Sequence, residues 1–294
     1  MSKISDRWLF WGPTLIWAST WHVILYQLAS GVPVLNSVAW RFAIAALLLA
    51  GLALARGEAL LRMPRSAHAL MLATGIVQYS GNYVSVYEAE RHIPSGLVAV
   101  LFCLMVFINA ISGRFFFGQT VTRRFLLCAS GGVLGVVLIF WPEIAATGAR
   151  PTAALGLGLG LLAVLAACIG NVLTLTLTRR GLALVPVLAW SMGYGALFLV
   201  GASLASGQGL HFDTGPAYLA SLAYLALAGS VTAFVLYFKL AQRQGPARAA
   251  LTGVVIPVIA LLISATLEAY VPSLLSVAGM ALCLGSIYLA TRPS

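Results

Sequence analysis

The chain has 294 residues, of which 61% are hydrophobic and only 8% charged, with a mean hydropathy of +0.99. A soluble globular domain carries about 25% charged residues, so a solvated surface cannot be built from this composition and most of the surface must face lipid. The net charge of +10 does not point to nucleic acid, because the basic residues cluster in short gaps between apolar runs, as membrane-flanking charges do.

A spanning helix needs about 20 apolar residues. Ten segments qualify: Trp8–Leu28, Pro33–Ala55, Ala67–Tyr87, Pro94–Phe116, Phe125–Phe140, Thr152–Thr178, Val185–Leu204, Pro216–Leu240, Pro246–Tyr270 and Leu274–Thr291. Six open at or beside a proline, which suits a first turn because its missing amide would be unpaired there anyway. The first run is long enough to span and no small-residue cleavage site follows it, so it is expected to be retained.

The first segment carries Trp17 and Trp21 on one face, with Ser19, Thr20 and His22 beside them. The tryptophans read either as cavity walls or as packing, and His22 either as a site residue or as a hydrogen-bonded structural histidine. The second holds Arg41, the one cation well inside a span, about 12 Å below the boundary at 1.5 Å per residue. A membrane charge is a functional hypothesis by default. Arg41 reads as a carboxylate-binding fork, a structural hydrogen-bond or ion-pair partner, or an arginine snorkelling outward on its stem. The third is the most polar: Gln78, Asn82 and Ser85 form one stripe and Tyr79, Tyr83 and Tyr87 the next. Hydrocarbon cannot solvate an amide, so this face looks into protein or water, lining a cavity or bonding to neighbouring helices.

Further along, Gly131 and Gly135, then Gly156, Gly158 and Gly160, permit close helix approach. Trp190 in the seventh segment is a candidate site residue. Pro257 in the ninth removes one helical hydrogen bond and displaces the carbonyl of Gly253, reading as a hinge or as a static kink. Glu268 near the end of that segment reads as an interfacial acid. Cys103, Cys128, Cys168 and Cys283 all lie in apolar runs and none is spaced as a metal or redox pair.

With the N-terminus inside, fourteen Lys and Arg residues fall on the inner side and only Arg91 and Arg150 outside, which places both termini in the cytoplasm. The chain also repeats itself. Ala39-Trp40 recurs as Ala189-Trp190, Ala46-Leu47 as Ala196-Leu197, and Arg91 and Pro94 as Arg243 and Pro246. The halves run roughly 1–147 and 151–294. Five spans each is an odd number, so the second must be inverted, an architecture of transporters that places the substrate site between the halves. Inversion sets Arg41 against Ser191 and His22 against Asn171, so polar and charged groups would sit in the outer part of the first half, and neutral Asn171, Ser191, Tyr194 and Thr232 in the inner part of the second.

An Arg-Phe pair in the second helix followed by small residues and leucines, and Ala89 through Ile93-Pro94-Ser95-Gly96 entering the fourth, resemble the EamA-type branch of the drug/metabolite transporter superfamily over essentially the whole chain. Size and layout are similar to YddG-type exporters of aromatic and other amino acids. Met105 stands where that family has a proline, and Gly118-Gln119 where it often has Gly-Glu. The resemblance implies ten helices, metabolite export and no prosthetic group.

The expectation is therefore an all-α integral membrane protein of ten transmembrane helices in two inverted five-helix repeats, in a bacterial inner membrane. It would export small metabolites, amino acids including aromatic ones, by alternating access through a cavity lined by Trp17, Trp21, His22, Arg41, Gln78, Tyr79, Asn82, Tyr83 and Trp190, with Pro257 and Gly253 as hinge. Its partners are the small solute and membrane lipid, with no cofactor, metal or nucleic acid and no required oligomer. Three alternatives remain. A lipophilic-cation exporter is disfavoured by a first helix without an acid, a lipid-modifying enzyme by the lack of paired acids, and a channel by loops too short to form a selectivity ring. No phosphate-binding Gly-Lys-Ser/Thr loop is present for ATP hydrolysis.

Overall fold

The computed structural model describes residues 4–93, 95–147, 151–267 and 273–291. Pro94 and Glu268 lie outside the described residues. Within the described residues, all ten apolar segments are helical and no strand is present. Helices α1 (Asp6–Ala29) and α2 (Val34–Ala55) are unbroken, whereas the third segment is split. It runs as α3 (Arg65–Thr74), a π-helical stretch over Gly75–Gly81, and α4 (Asn82–Glu90). The fourth is α5 (Ser95–Phe102) and α6 (Met105–Phe117), then α7 (Arg123–Ile139) and a short α8 (Trp141–Thr147) follow. Next come α9 (Ala153–Arg179) and α10 (Leu184–Ala205). The eighth segment again contains a π-helical stretch, Leu225–Thr232, between α11 (Pro216–Tyr224) and α12 (Ala233–Gln244), before α13 (Pro246–Leu267) and α14 (Leu274–Thr291).

The connections are tight because glycine closes them. Gly118 ends α6 at φ 65° and Gly245 separates α12 from α13 at φ 90°, a region that side chains disfavour. Among the described residues, five helices are long and apolar enough to cross a membrane: Val34–Ala55, Leu97–Phe117, Ala153–Arg179, Leu184–Ala205 and Pro216–Gln244. The other segments are shorter or more polar. The third carries Gln78, Ser80, Asn82 and Ser85, and all four are buried, so its low hydropathy reflects what it turns inward. Outward-facing side chains such as Leu47 and Phe115 are 74% and 86% exposed, the surface of a protein surrounded by lipid.

Two helix pairs meet backbone to backbone at glycines. The π-helical stretch after α3 meets α10 backbone to backbone: a Cβ on Gly75 would stand 2.5 Å from the Ser191 carbonyl oxygen, and one on Gly195 2.7 Å from that of Gly75. Helix α7 meets α14 in the same way, with a Cβ on Gly279 2.5 Å from the Gly135 oxygen.

Helix α13 continues through Pro257, while the fourth segment, which has no proline beyond its opening Pro94, breaks at Cys103 and Leu104. The two features meet. Pro257 leaves the Gly253 carbonyl without its helical donor, and the Cys103 thiol donates to that oxygen at 3.6 Å.

Candidate functional site

Helices α1, α2, α4, α5, α6, α9, α12 and α13 and the first π-helical stretch converge on an interior cavity of about 100 Å³. Trp17, Thr20, Trp21 and Ile24 face it from α1, Arg41 from α2, Gln78 from the π-helical stretch, and Asn82, Tyr83 and Val86 from α4. Phe102 and Met105 flank the break in the fourth segment. Asn171, Phe234, Tyr237 and Gly253 complete the wall from the other side.

Six aromatic side chains stand on this wall, those of Trp17, Trp21, Tyr83, Phe102, Phe234 and Tyr237. The Trp17 ring lies 5.3 Å from both Phe234 and Tyr237, and Trp21 packs edge-on to Phe102 at 5.5 Å. Each such pair contributes about 0.5–1.5 kcal/mol beyond its buried area. Trp17 Nε1 donates to the Gly229 carbonyl at 3.0 Å, and Asn171 Nδ2 donates to the Tyr237 hydroxyl at 3.1 Å.

Arg41 is 1% exposed, so its head group does not reach the surface along its stem. Its Nε donates to Ser230 Oγ at 2.9 Å, and the guanidinium carbon stands 4.6 Å from the Tyr83 ring centre and 5.4 Å from that of Phe42. A desolvated cation over an aromatic face gains about 2 kcal/mol, and a hydrogen bond to a charged group about 1.5–3 kcal/mol. Burying an unpaired ion costs several kcal/mol. Gly229 makes the room: a Cβ there would stand 3.2 Å from Nη2. Arg41 Nη1 has no hydrogen-bond partner, and neither have Trp21 Nε1, Gln78 Oε1 and Asn82 Oδ1.

Of the residues singled out in the sequence, Trp17, Thr20, Trp21, Arg41, Gln78, Asn82, Tyr83, Asn171 and Gly253 are brought together at the cavity. The others lie elsewhere. Tyr79 is fully buried between Phe42 and Phe234, with ring centres at 5.1 and 5.3 Å. His22 is on the exposed side of α1, its ring 5.6 Å from Tyr26. Trp190 stacks on Tyr194 at 5.5 Å and donates to the Leu60 carbonyl at 2.8 Å. Pro257 is in α13, one turn beyond Gly253, and does not line the cavity. Ser191 is buried with its hydroxyl unpartnered, and Thr232 is exposed.

The sequence reading missed Phe102, Met105, Phe234 and Tyr237 on the wall. It also missed Glu90, whose two carboxyl oxygens are buried without partners, whereas Glu88 faces Arg91 at 3.7 Å. Glu90 stands seven residues beyond Tyr83, so extending the tyrosine stripe by two turns would have found it.

The EamA-like transporter family model matches the sequence twice, over residues 8–141 and 155–292. The chain belongs to the EamA-like transporter family. It is a membrane-embedded, multi-pass protein of the drug/metabolite transporter superfamily. Protein PecM of Dickeya dadantii (strain 3937) is 25% identical over 262 residues, covering 89% of this chain and 83% of that protein. A solved crystal structure, described only as that of a protein, shares the fold with a TM-score of 0.75 at 19% identity, over 99% of this chain and 97% of the other. Members of this family move small solutes across membranes.

Proposed function

We propose that this protein is a secondary transporter that exports small metabolites, amino acids with aromatic side chains among them, by alternating access through the central cavity, in the manner of YddG-type exporters. The observation that carries this reading is the cavity wall itself. Its surface is aromatic, from Trp17, Trp21, Phe234 and Tyr237, and interrupted by a few buried polar groups without partners. Mostly apolar pockets with a few polar anchors are what small ligands use. At about 100 Å³ the cavity is well below the roughly 300–1,000 Å³ of a ligand pocket, so a solute would enter only as the surrounding helices separate.

The machinery in this reading is ten spans in a bacterial inner membrane, both termini cytoplasmic, with residues 1–147 and 151–294 as inverted repeats. Three observations support it. The family model matches each half once. The π-helical stretches at Gly75–Gly81 and Leu225–Thr232 fall at corresponding positions. Trp40 and Trp190 each donate at 2.8 Å to a loop carbonyl, of His211 and Leu60 respectively. Gly253, its carbonyl held by Cys103, stands with Pro257 as the hinge.

The test is counterflow of labelled amino acids in proteoliposomes. Tryptophan, phenylalanine and tyrosine should exchange faster than aspartate or lysine, and Trp17→Ala should slow them. If every amino acid moves no faster than in protein-free vesicles, the reading fails.

A further inference from the structure

Arg41 brings a guanidinium, a cationic group that can only donate hydrogen bonds, to the cavity wall. The described residues do not neutralise it. Their ion pairs join Arg56 with Glu58, Arg91 with Glu88, and Arg243 with Asp6, and none reaches Arg41. Among the described residues, no aspartate or glutamate lines the cavity. The partners Arg41 does have are neutral, the hydroxyls of Ser230 and Tyr87 and two ring faces. They hold the side chain in place and leave its charge uncompensated. Nη1 is buried and has no acceptor.

A buried cation with a free donor is a site awaiting an anion, since only a negative partner offsets both the charge and the lost hydrogen bond. We propose that Arg41 is the anion-binding anchor of the cavity, and that the solute carries a carboxylate on an aromatic or apolar body. The carboxylate accepts from Nη1 while the body lies against Trp17 and Trp21. This rests on the reading of the cavity as a transport site and deepens it. The same field repels organic amines, which would need a negative wall that these residues do not supply. The unpartnered Oδ1 of Asn82 is an acceptor suited to the ammonium of a zwitterion, so an amino acid and a simple carboxylic acid share the required group.

Three probes of one shape separate these cases: 3-phenylpropanoate, L-phenylalanine and phenethylamine. Binding is read on the purified protein by thermal stabilisation and by quenching of tryptophan fluorescence. The carboxylates should bind and the amine should not. Arg41→Gln should weaken carboxylate binding roughly tenfold or more, the range for a lost charged hydrogen bond, while Arg41→Lys should retain part of it. Amine binding as tight as that of the acids overturns the proposal, as does Arg41→Gln with unchanged affinity, or no binding by any probe. The probe comparison on the wild type stands even where a variant fails to fold. Flux measured alongside distinguishes the two readings. An amine carried across the membrane leaves export standing and removes the anion site, whereas an acid that binds without being carried leaves the site and removes the transport reading.

Discussion

Ser80 and Ser230 stand 150 positions apart and make the same bond: each hydroxyl donates to the carbonyl five residues back, of Gly75 at 3.0 Å and of Leu225 at 2.9 Å. Each closes one turn of a π-helical stretch, a local widening often found at functional sites. Their outside partners differ. Ser80 also reaches the Gly195 carbonyl at 3.0 Å, while Ser230 accepts from Arg41 Nε at 2.9 Å. Ser80 is thus a packing contact and Ser230 orients the charged group. Ser230→Ala should lower the affinity for aromatic carboxylates about tenfold, the worth of a hydrogen bond to a charged group, with little loss of folded yield. Ser80→Ala should do the reverse. Ligand titration of both variants with melting curves alongside separates the effects, and equal ligand affinity in the two contradicts the assignment.

The backbone contact between Gly75 and α10 leaves no room for a methyl group. Gly75→Ala should destabilise the protein by about 1–3 kcal/mol, the usual cost of overpacking, and Gly195→Ala should behave alike because its Cβ would stand 2.7 Å from the Gly75 carbonyl oxygen across the same contact. Gly51, also in a helix, has open space where its Cβ would stand. Gly51→Ala should leave the melting temperature unchanged or slightly raised, since alanine favours helix. Melting in detergent compares all three, and a Gly75→Ala protein as stable as wild type would count against the packing described.

How much of this was legible in the sequence follows from what each residue contrasts with. Gln78, Asn82 and Tyr83 stood out because amides and hydroxyls contrast with lipid-facing leucines. Tyr79 misled because the stripe argument assumes 3.6 residues per turn. The π-helical stretch from Gly75 to Gly81 is wider, and it turns Tyr79 toward Phe42 and α10 while Gln78 stays on the cavity. Phe234 and Tyr237 gave no signal, being aromatics in an apolar run where cavity-facing and lipid-facing positions look alike. Trp190 shared its Ala-Trp pattern with Trp40 for a structural reason: both indoles hold loops. Glu90 escaped notice because the span was ended at Tyr87.

At the chain start, Arg243 Nη1 donates to Asp6 Oδ1 at 2.8 Å and Gln244 Nε2 to Oδ2 at 2.9 Å, tying α1 to the end of α12. The Arg243 hydrogen bond first, then that of Gln244, holds the Asp6 carboxyl below its ordinary value of 3.8. A carboxyl lowered in the folded state stabilises above its unfolded value, and that contribution is lost as pH falls through the folded one. Asp6→Asn should therefore melt lower than wild type at neutral pH, and the gap should close below about pH 3.8. The pair is exposed, so the gap should be small and shrink in high salt. A gap that persists in acid would assign the effect to something other than the carboxylate.

The two indole-to-loop bonds give the sharpest test of the inverted arrangement. Trp40 on α2 holds the loop at His211, and Trp190 on α10 holds the loop at Leu60. If the halves are inverted copies, these equivalent bonds lie at opposite membrane faces. The charge count assigns the faces: Arg56, Arg62 and Arg65 surround the Leu60 loop, while no Lys or Arg lies between Arg180 and Lys239, the stretch that contains the His211 loop. Leu61 and Leu210 are 78% and 49% exposed, so a cysteine at either position is open to reagent. In a background with Cys103, Cys128, Cys168 and Cys283 replaced, Leu210→Cys should react with an impermeant maleimide in intact cells. Leu61→Cys should react only after permeabilisation. Labelling of both from the same side would contradict the inverted repeat, and labelling with the sides exchanged would keep the repeat and reverse the orientation that the arginines imply.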